Sequence, residues 1–440
     1  MSRMTITGPA EPGFDTILTA QALEFVAALH EEFAPELRAL VAGRSGLAGA
    51  LDRSELGQAV DAVRTAAEAP RPSSVTAPPL GAEAACAADS AAEVWLADLE
   101  DGMSPRWDNI ITAQLNIASA VRGHNSFIDP RGGRRLHAKT TKPRRLAIRP
   151  RAMHASEEHL RWIADDGTES AASAALTDFG LFFFHSAGRL ELQGRRPEVV
   201  LAKLAGAQDA RWWHRVFAFA QEYRGFEDGT ISATVQLDSP AAALAIDEIG
   251  LALGEHWAGA SAAPLEFATA LLAAVHDTAA VVAPTWSDAD CAEDFLTQLV
   301  AHVSAPQAPA APLSEHSLRT ALRLGIDHLE RWLRGRPTSR GSETSTAVAE
   351  LSRTQLWAAF SRRAELADGR SCTPEVFARM LAEELATTLR DSADFYDDAA
   401  ELFGAAVLAD HFEPGLFERA YEAHLIDRRA RAALSRRAAA

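Results

Sequence analysis

The chain has 440 residues, 48% hydrophobic and 23% charged, with a formal net charge of −17. That length can bury a large core in more than one domain, and the acidity argues against nucleic acid or an anionic membrane as the main partner. No apolar stretch reaches the roughly 18 residues that span a bilayer, and the first residues hold no apolar signal core, so the chain reads as cytoplasmic.

Taken in chain order, residues 16–42 (TILTAQALEFVAALHEEFAPELRALVA) repeat apolar residues at three and four, which predicts a helix. Residues 67–92 are rich in Pro, Ala and Ser and predict a loop or linker. From 93 to about 284, short apolar runs alternate with helical stretches, the pattern of repeated β-α units. The runs are VWL at 94, RLAI at 145, GLFFF at 180, EVVLA at 198 and ISATVQL at 231. Ionisable residues follow each run: Asp98, Glu100 and Asp101 after the first, then Arg149, His185, Lys203 and Asp238. An unpaired buried carboxylate costs several kcal/mol, so three of them closing one buried strand call for cations nearby. In a (β/α) barrel the carboxyl ends of the strands form the active face. Asp98, Glu100, Asp101, Arg149 and Asp238 are therefore expected to cluster there. After 284 the strands fade. A second Pro/Ala-rich linker spans 304–314, followed by an amphipathic helix, SLRTALRLGIDHLERWLRG. It places Leu318, Ala321, Leu322, Leu329, Trp332 and Leu333 on one face and ends at Gly335 and Pro337. Further helices are expected at about 352–366, 374–390, 394–409 and 414–436. Cys86, Cys291 and Cys372 are far apart, with no CxxC or zinc pattern, and read as buried or neutral thiols.

Five segments together resemble malate synthase of the shorter, A-type form. They are ADLEDGMSPRWDNIITAQLNI, IRPRAMH, DFGLFFFHSA, GTISATVQLDSPAAALAIDEI, and SLRTALRLGIDHLERWL with its sequel ELSRTQLW. The resemblance implies an α/β fold, a (β/α)8 TIM barrel with an N-terminal helical clasp and a C-terminal helical plug. The corresponding boundaries are 1–92, 93–303 and 304–440. It also implies condensation of acetyl-CoA with glyoxylate to malate and CoA, with Mg2+ as cofactor. Arg149 falls on the family's arginine beside the enolate, and its neighbour Arg151 is read as structural. Asp98, Glu100 and Asp101 fall on the acidic motif near the metal, as groups supporting Arg149 and metal-bound water.

Several positions depart from the family pattern. Asp238 stands where the family has a metal-binding Glu, and Glu266 stands at the second ligand position. His276 and Asp277 arrive early, so one βα unit is absent from the pattern. Ser345 occupies the position of the catalytic base, and serine cannot deprotonate a thioester methyl unaided. Glu343 and then Asp277 are the candidate replacements. The alternative is a homologue that has lost the condensation and serves a binding or regulatory role, or performs related acyl-CoA chemistry.

Overall fold

The computed structural model describes residues 3–44, 52–140, 145–275, 296–301, 313–336, 345–413 and 415–426. The chain divides into two units. One comprises Met1–Ala48, Asp61–Leu237 and Ala241–Ala262; the other comprises Gly49–Val60, Asp238–Pro240 and Ala263–Ala440.

The first unit is built on a six-stranded sheet. Its strands are β1 (Ser74–Ala77), β2 (Val94–Asp98), β3 (Arg145–Arg149), β4 (Glu198–Leu201), β5 (Ser232–Leu237) and β6 (Trp257–Ala262). Each strand pairs in parallel with its neighbour in sequence. Unbroken order of this kind arises when every crossover turns the same way, as in a (β/α) barrel. Among the described residues β1 and β6 pair on one side only, so the sheet is an open arc and not a closed eight-stranded ring. Leu146, Ala147 and Ile148 of β3 are all buried, as expected of a parallel strand covered on both faces.

The helices of this unit include α1 (Ala20–Gly43), α2 (Gly81–Asp89), α3 (Trp107–Val121), α4 (Ala174–Leu192), α5 (Ala207–Arg224) and α6 (Ile246–Leu253). Two expectations are corrected here. The GLFFF run is not a strand; it lies within α4. Periodicity cannot separate a short apolar run in a strand from one in a buried helix. This helix is buried on most sides because α1 covers it, with Leu29 and Val26 lying 3.0 Å from where a Cβ on Gly180 would stand. His185 is accordingly a helix residue and donates from Nε2 to the Ile17 carbonyl at 2.7 Å. The stretch 67–92 is not a linker either, since it supplies β1 and α2. The 92/93 boundary therefore falls between the first two strands of the sheet. An antiparallel sheet of Arg3–Ile6, Ser156–Ile163 and Glu169–Ser173 is a further addition to the expected pattern.

The second unit is helical: α7 (Pro264–Val275), α8 (Glu315–Leu333), α9 (Thr346–Ser361), α10 (Pro374–Thr387) and α11 (Tyr396–Val407). Leu322, Leu329, Leu356, Phe377 and Phe403 share its core. Ser314 caps α8 by accepting from the Ser317 N–H at 3.0 Å, and Gly335 follows it at φ 72°. The expected linker at 304–314 and the 303/304 boundary fall largely outside the described residues.

His30 joins two elements of the first unit. Its Nδ1 donates to the Val26 carbonyl at 2.8 Å, and its Nε2 accepts from the Ser173 N–H at 2.9 Å. Ser173 in turn caps α4. Burial, against smaller opposing hydrogen-bond effects, pushes the imidazole down to about 4. A histidine depressed from about 6.5 to about 4 contributes stability that is complete above 6.5 and lost as pH falls toward 4. Urea denaturation across that window should show a loss of up to about 3 kcal/mol from this group. His30→Gln should flatten the slope; an unchanged slope would mean that His30 is not the responsible group.

Candidate active site

β2 ends in Asp98 and β3 in Arg149, and the parallel register sets these two residues side by side. The Arg149 guanidinium donates from Nε to Asp98 Oδ1 at 2.8 Å and from Nη2 to Asp98 Oδ2 at 2.6 Å. Nη2 also lies 3.2 Å from Asp101 Oδ2, while Nη1 donates to Gln236 Oε1 on β5 at 3.0 Å. Arg149 and Asp98 are 4% and 3% exposed, so this is a buried ion pair with the two-pronged geometry that makes such pairs strong.

The loop after β2 folds around the same carboxylate. Asp98 Oδ1 accepts from the N–H groups of Glu100 and Asp101 at 3.0 and 3.3 Å. A Cβ on Gly102 would stand 3.0 Å from Asp98 Oδ2, which explains glycine there. Glu100 accepts from the Ala152 N–H at 2.7 Å and from Lys203 Nζ at 2.6 Å, and Lys203 also reaches Asp101 at 3.3 Å. The three carboxylates at the end of β2 thus face two cations, one at the end of β3 and one just past β4. Lys203 adopts φ 55°, a left-handed conformation uncommon for a side-chain-bearing residue.

Arg151 is held differently. Its Nε and Nη2 donate to the two oxygens of Asp178 at 2.9 and 2.8 Å, its backbone N–H donates to the same carboxylate at 3.0 Å, and Nη1 reaches Glu157 at 2.9 Å. Glu157 also accepts from His159 Nδ1 at 2.8 Å. Asp178 and Glu157 are fully buried, and burial pushes the Asp178 carboxyl up against the pull of Arg151.

Asp238 directly follows β5 and is buried. Glu266 is half-buried in the first turn of α7. Ser345 is the N-cap of α9, its Oγ accepting from the Val348 N–H at 3.2 Å. Glu343 and Asp277 lie outside the described residues. Lys203 and Gln236 are the participants that sequence reading did not assign. Lys203 carried a signal, being one of only three lysines and lying just past an apolar run. Gln236 carried none, because a polar residue inside a strand reads as a solvent-facing position.

An arc of parallel strands with a buried arginine–carboxylate cluster at its carboxyl ends is the frame of a (β/α)-barrel enzyme. Family signatures for malate synthase match the chain in three places: the N-terminal domain at residues 2–60, the TIM barrel domain at 145–303 and the C-terminal region at 313–423. The malate synthases of Streptomyces clavuligerus and Myxococcus xanthus are each 28% identical to it. The first alignment covers 95% of this chain and 97% of the relative, the second 94% of each. Malate synthase A of Escherichia coli is 24% identical, covering 90% of this chain and 93% of the relative. The chain belongs to the malate synthase family.

The two arginines separate in their expected behaviour. Arg151→Met would leave Asp178 and Glu157 buried without their cation, a change that typically costs about 3–5 kcal/mol. Urea denaturation should show that loss, and a loss under about 1 kcal/mol would show that the carboxylates find other partners.

Proposed function

We propose that this chain condenses acetyl-CoA with glyoxylate and hydrolyses the resulting thioester, yielding malate and CoA. The observation that carries the reading is Arg149, a buried guanidinium locked by Asp98 at the carboxyl end of the sheet. A base takes a proton from the acetyl methyl group, and the electron pair moves onto the thioester oxygen as an enolate. A guanidinium already fixed in place stabilises that charge without reorganising as it forms. The enolate carbon then bonds to the aldehyde carbon of glyoxylate, and water cleaves the thioester to release CoA. Asp98 orients Arg149, while Glu100 and Lys203 brace the loop that carries Asp101.

The donor chemistry suits magnesium. Asp238 and Glu266 are carboxylates, the hard oxygen donors that this ion takes, and they would hold it. The chemistry supplied by Mg2+ when bound is Lewis-acid polarisation of the aldehyde. For the base we assign Glu343 first and Asp277 second, since Ser345 serves as a helix cap. A cytoplasmic setting belongs to the same reading and accords with the free thiols of Cys86 and Cys372.

The test is release of free CoA from the purified chain with acetyl-CoA, glyoxylate and Mg2+. Wild type should release CoA only when both substrates are present. Arg149→Lys should lower kcat by about 10²–10³-fold, as loss of an oxyanion donor does. Glu343→Gln, or failing that Asp277→Asn, should lower it by about 10²–10⁴-fold. Ser345→Asp keeps a good helix cap. Activity gained by that variant over an inactive wild type would identify a disabled scaffold and overturn the proposal.

A further inference from the structure

A second cluster lies at the other end of the same sheet. α5 supplies His214, and the 3-10 turn Gly254–His256, which leads directly into β6, supplies Glu255 and His256. One ligand atom from each of the three residues lies within 4.8 Å of the others. His256 is 1% exposed. Its Nδ1 donates to the carbonyl of Ile231, the residue before β5, at 3.0 Å. Its Nε2 is buried, has no hydrogen-bond partner among the described residues, and stands 3.8 Å from Glu255 Oε1. The ring is wedged between Phe217 and His214, with centroids 5.3 and 5.4 Å away. His214 Nδ1 faces the Leu253 carbonyl at 3.3 Å.

Both imidazoles therefore use Nδ1–H on a backbone carbonyl and keep the Nε2 lone pair. This is how metal-binding histidines are usually oriented, with the second nitrogen fixed by a carbonyl or carboxylate. Burial lowers the His256 pKa. An orphaned buried nitrogen is destabilising, and a metal ion would satisfy it. Two imidazoles with one carboxylate suit zinc and its neighbours, whereas magnesium prefers an all-oxygen shell.

We propose that His214, Glu255 and His256 form a binding site for a divalent transition metal of the zinc class, separate from the carboxyl-end site, with the remaining position filled by water. Tetrahedral zinc with bonds near 2.0 Å places its ligand atoms about 3.3 Å apart. Glu255, whose side chain is 49% exposed, can close that gap by rotating. The ion would tie α5 to the turn that starts β6. That strand needs support, being an edge strand of sequence Trp-Ala-Gly-Ala-Ser-Ala with little side chain to pack. The amino ends of barrel strands commonly serve stability and not catalysis.

The test uses the untagged full-length protein in excess Mg2+, titrated with ZnCl2 by calorimetry and followed by thermal melting. Co2+ substitution gives a visible absorption readout of the coordination. Wild type should bind one zinc equivalent and melt at a higher temperature with it. Loss of a supporting contact alone typically weakens a metal site roughly 10–100-fold. His214→Ala and Glu255→Gln, neither of them deeply buried, should each weaken binding by at least about that much and abolish the zinc-dependent shift in melting temperature. Malate-forming activity of the two variants in Mg2+ is expected to match wild type. Absence of zinc binding by wild type, or equal binding by both variants, overturns the site.

Discussion

The buried pair of Asp98 and Arg149 is the interaction around which the carboxyl end of the sheet is organised. Bringing a carboxylate and a guanidinium out of water costs several kcal/mol for each ion, and only close, multiply bonded geometry offsets it. Here the sheet itself provides that geometry, because the ladder between β2 and β3 sets the two residues opposite one another. The same carboxylate also accepts the N–H groups of Glu100 and Asp101, so the course of the following loop depends on it. Strand register, loop path and side-chain charge are thus three expressions of one contact.

Arg149 and Arg151 show how neighbouring identical side chains acquire different chemical character. Arg151 meets the carboxylates of Asp178 on α4 and Glu157 on the antiparallel sheet, and so fastens two elements together. Arg149 meets carboxylates on one side and the neutral amide of Gln236 on the other. Around Arg149 and Lys203, the acidic motif contributes three negative charges to two positive ones. The surplus favours a further cation in the neighbourhood.

The fold was legible where strands carried branched or aromatic residues. VWL, RLAI, and all but one residue each of EVVLA and ISATVQL fall in strands of the sheet. It was illegible where local composition opposed the tertiary role. SVTA is hidden among prolines and alanines, and β6 has the small residues of a loop; each becomes a strand only by pairing with a neighbour. GLFFF misled for the opposite reason, since a helix enclosed on several sides loses its polar face. At the site, Asp98 and Arg149 were readable because motif and strand end coincided. Gln236 and the histidine cluster were not, because their partners come from distant segments that only the fold assembles.

Lys203 carries the last lesson. Its left-handed backbone costs on the order of 1–2 kcal/mol that glycine would not incur. Its ammonium is what Glu100 and Asp101 share. Folding alone would favour glycine or asparagine here, while the acidic loop demands a compact positive charge on a flexible stem. In a chain where arginine supplies all but three of the 43 basic residues, this lysine marks a place where local conformational preference and electrostatic need pull against each other. Electrostatic need prevails at the expense of an easier backbone.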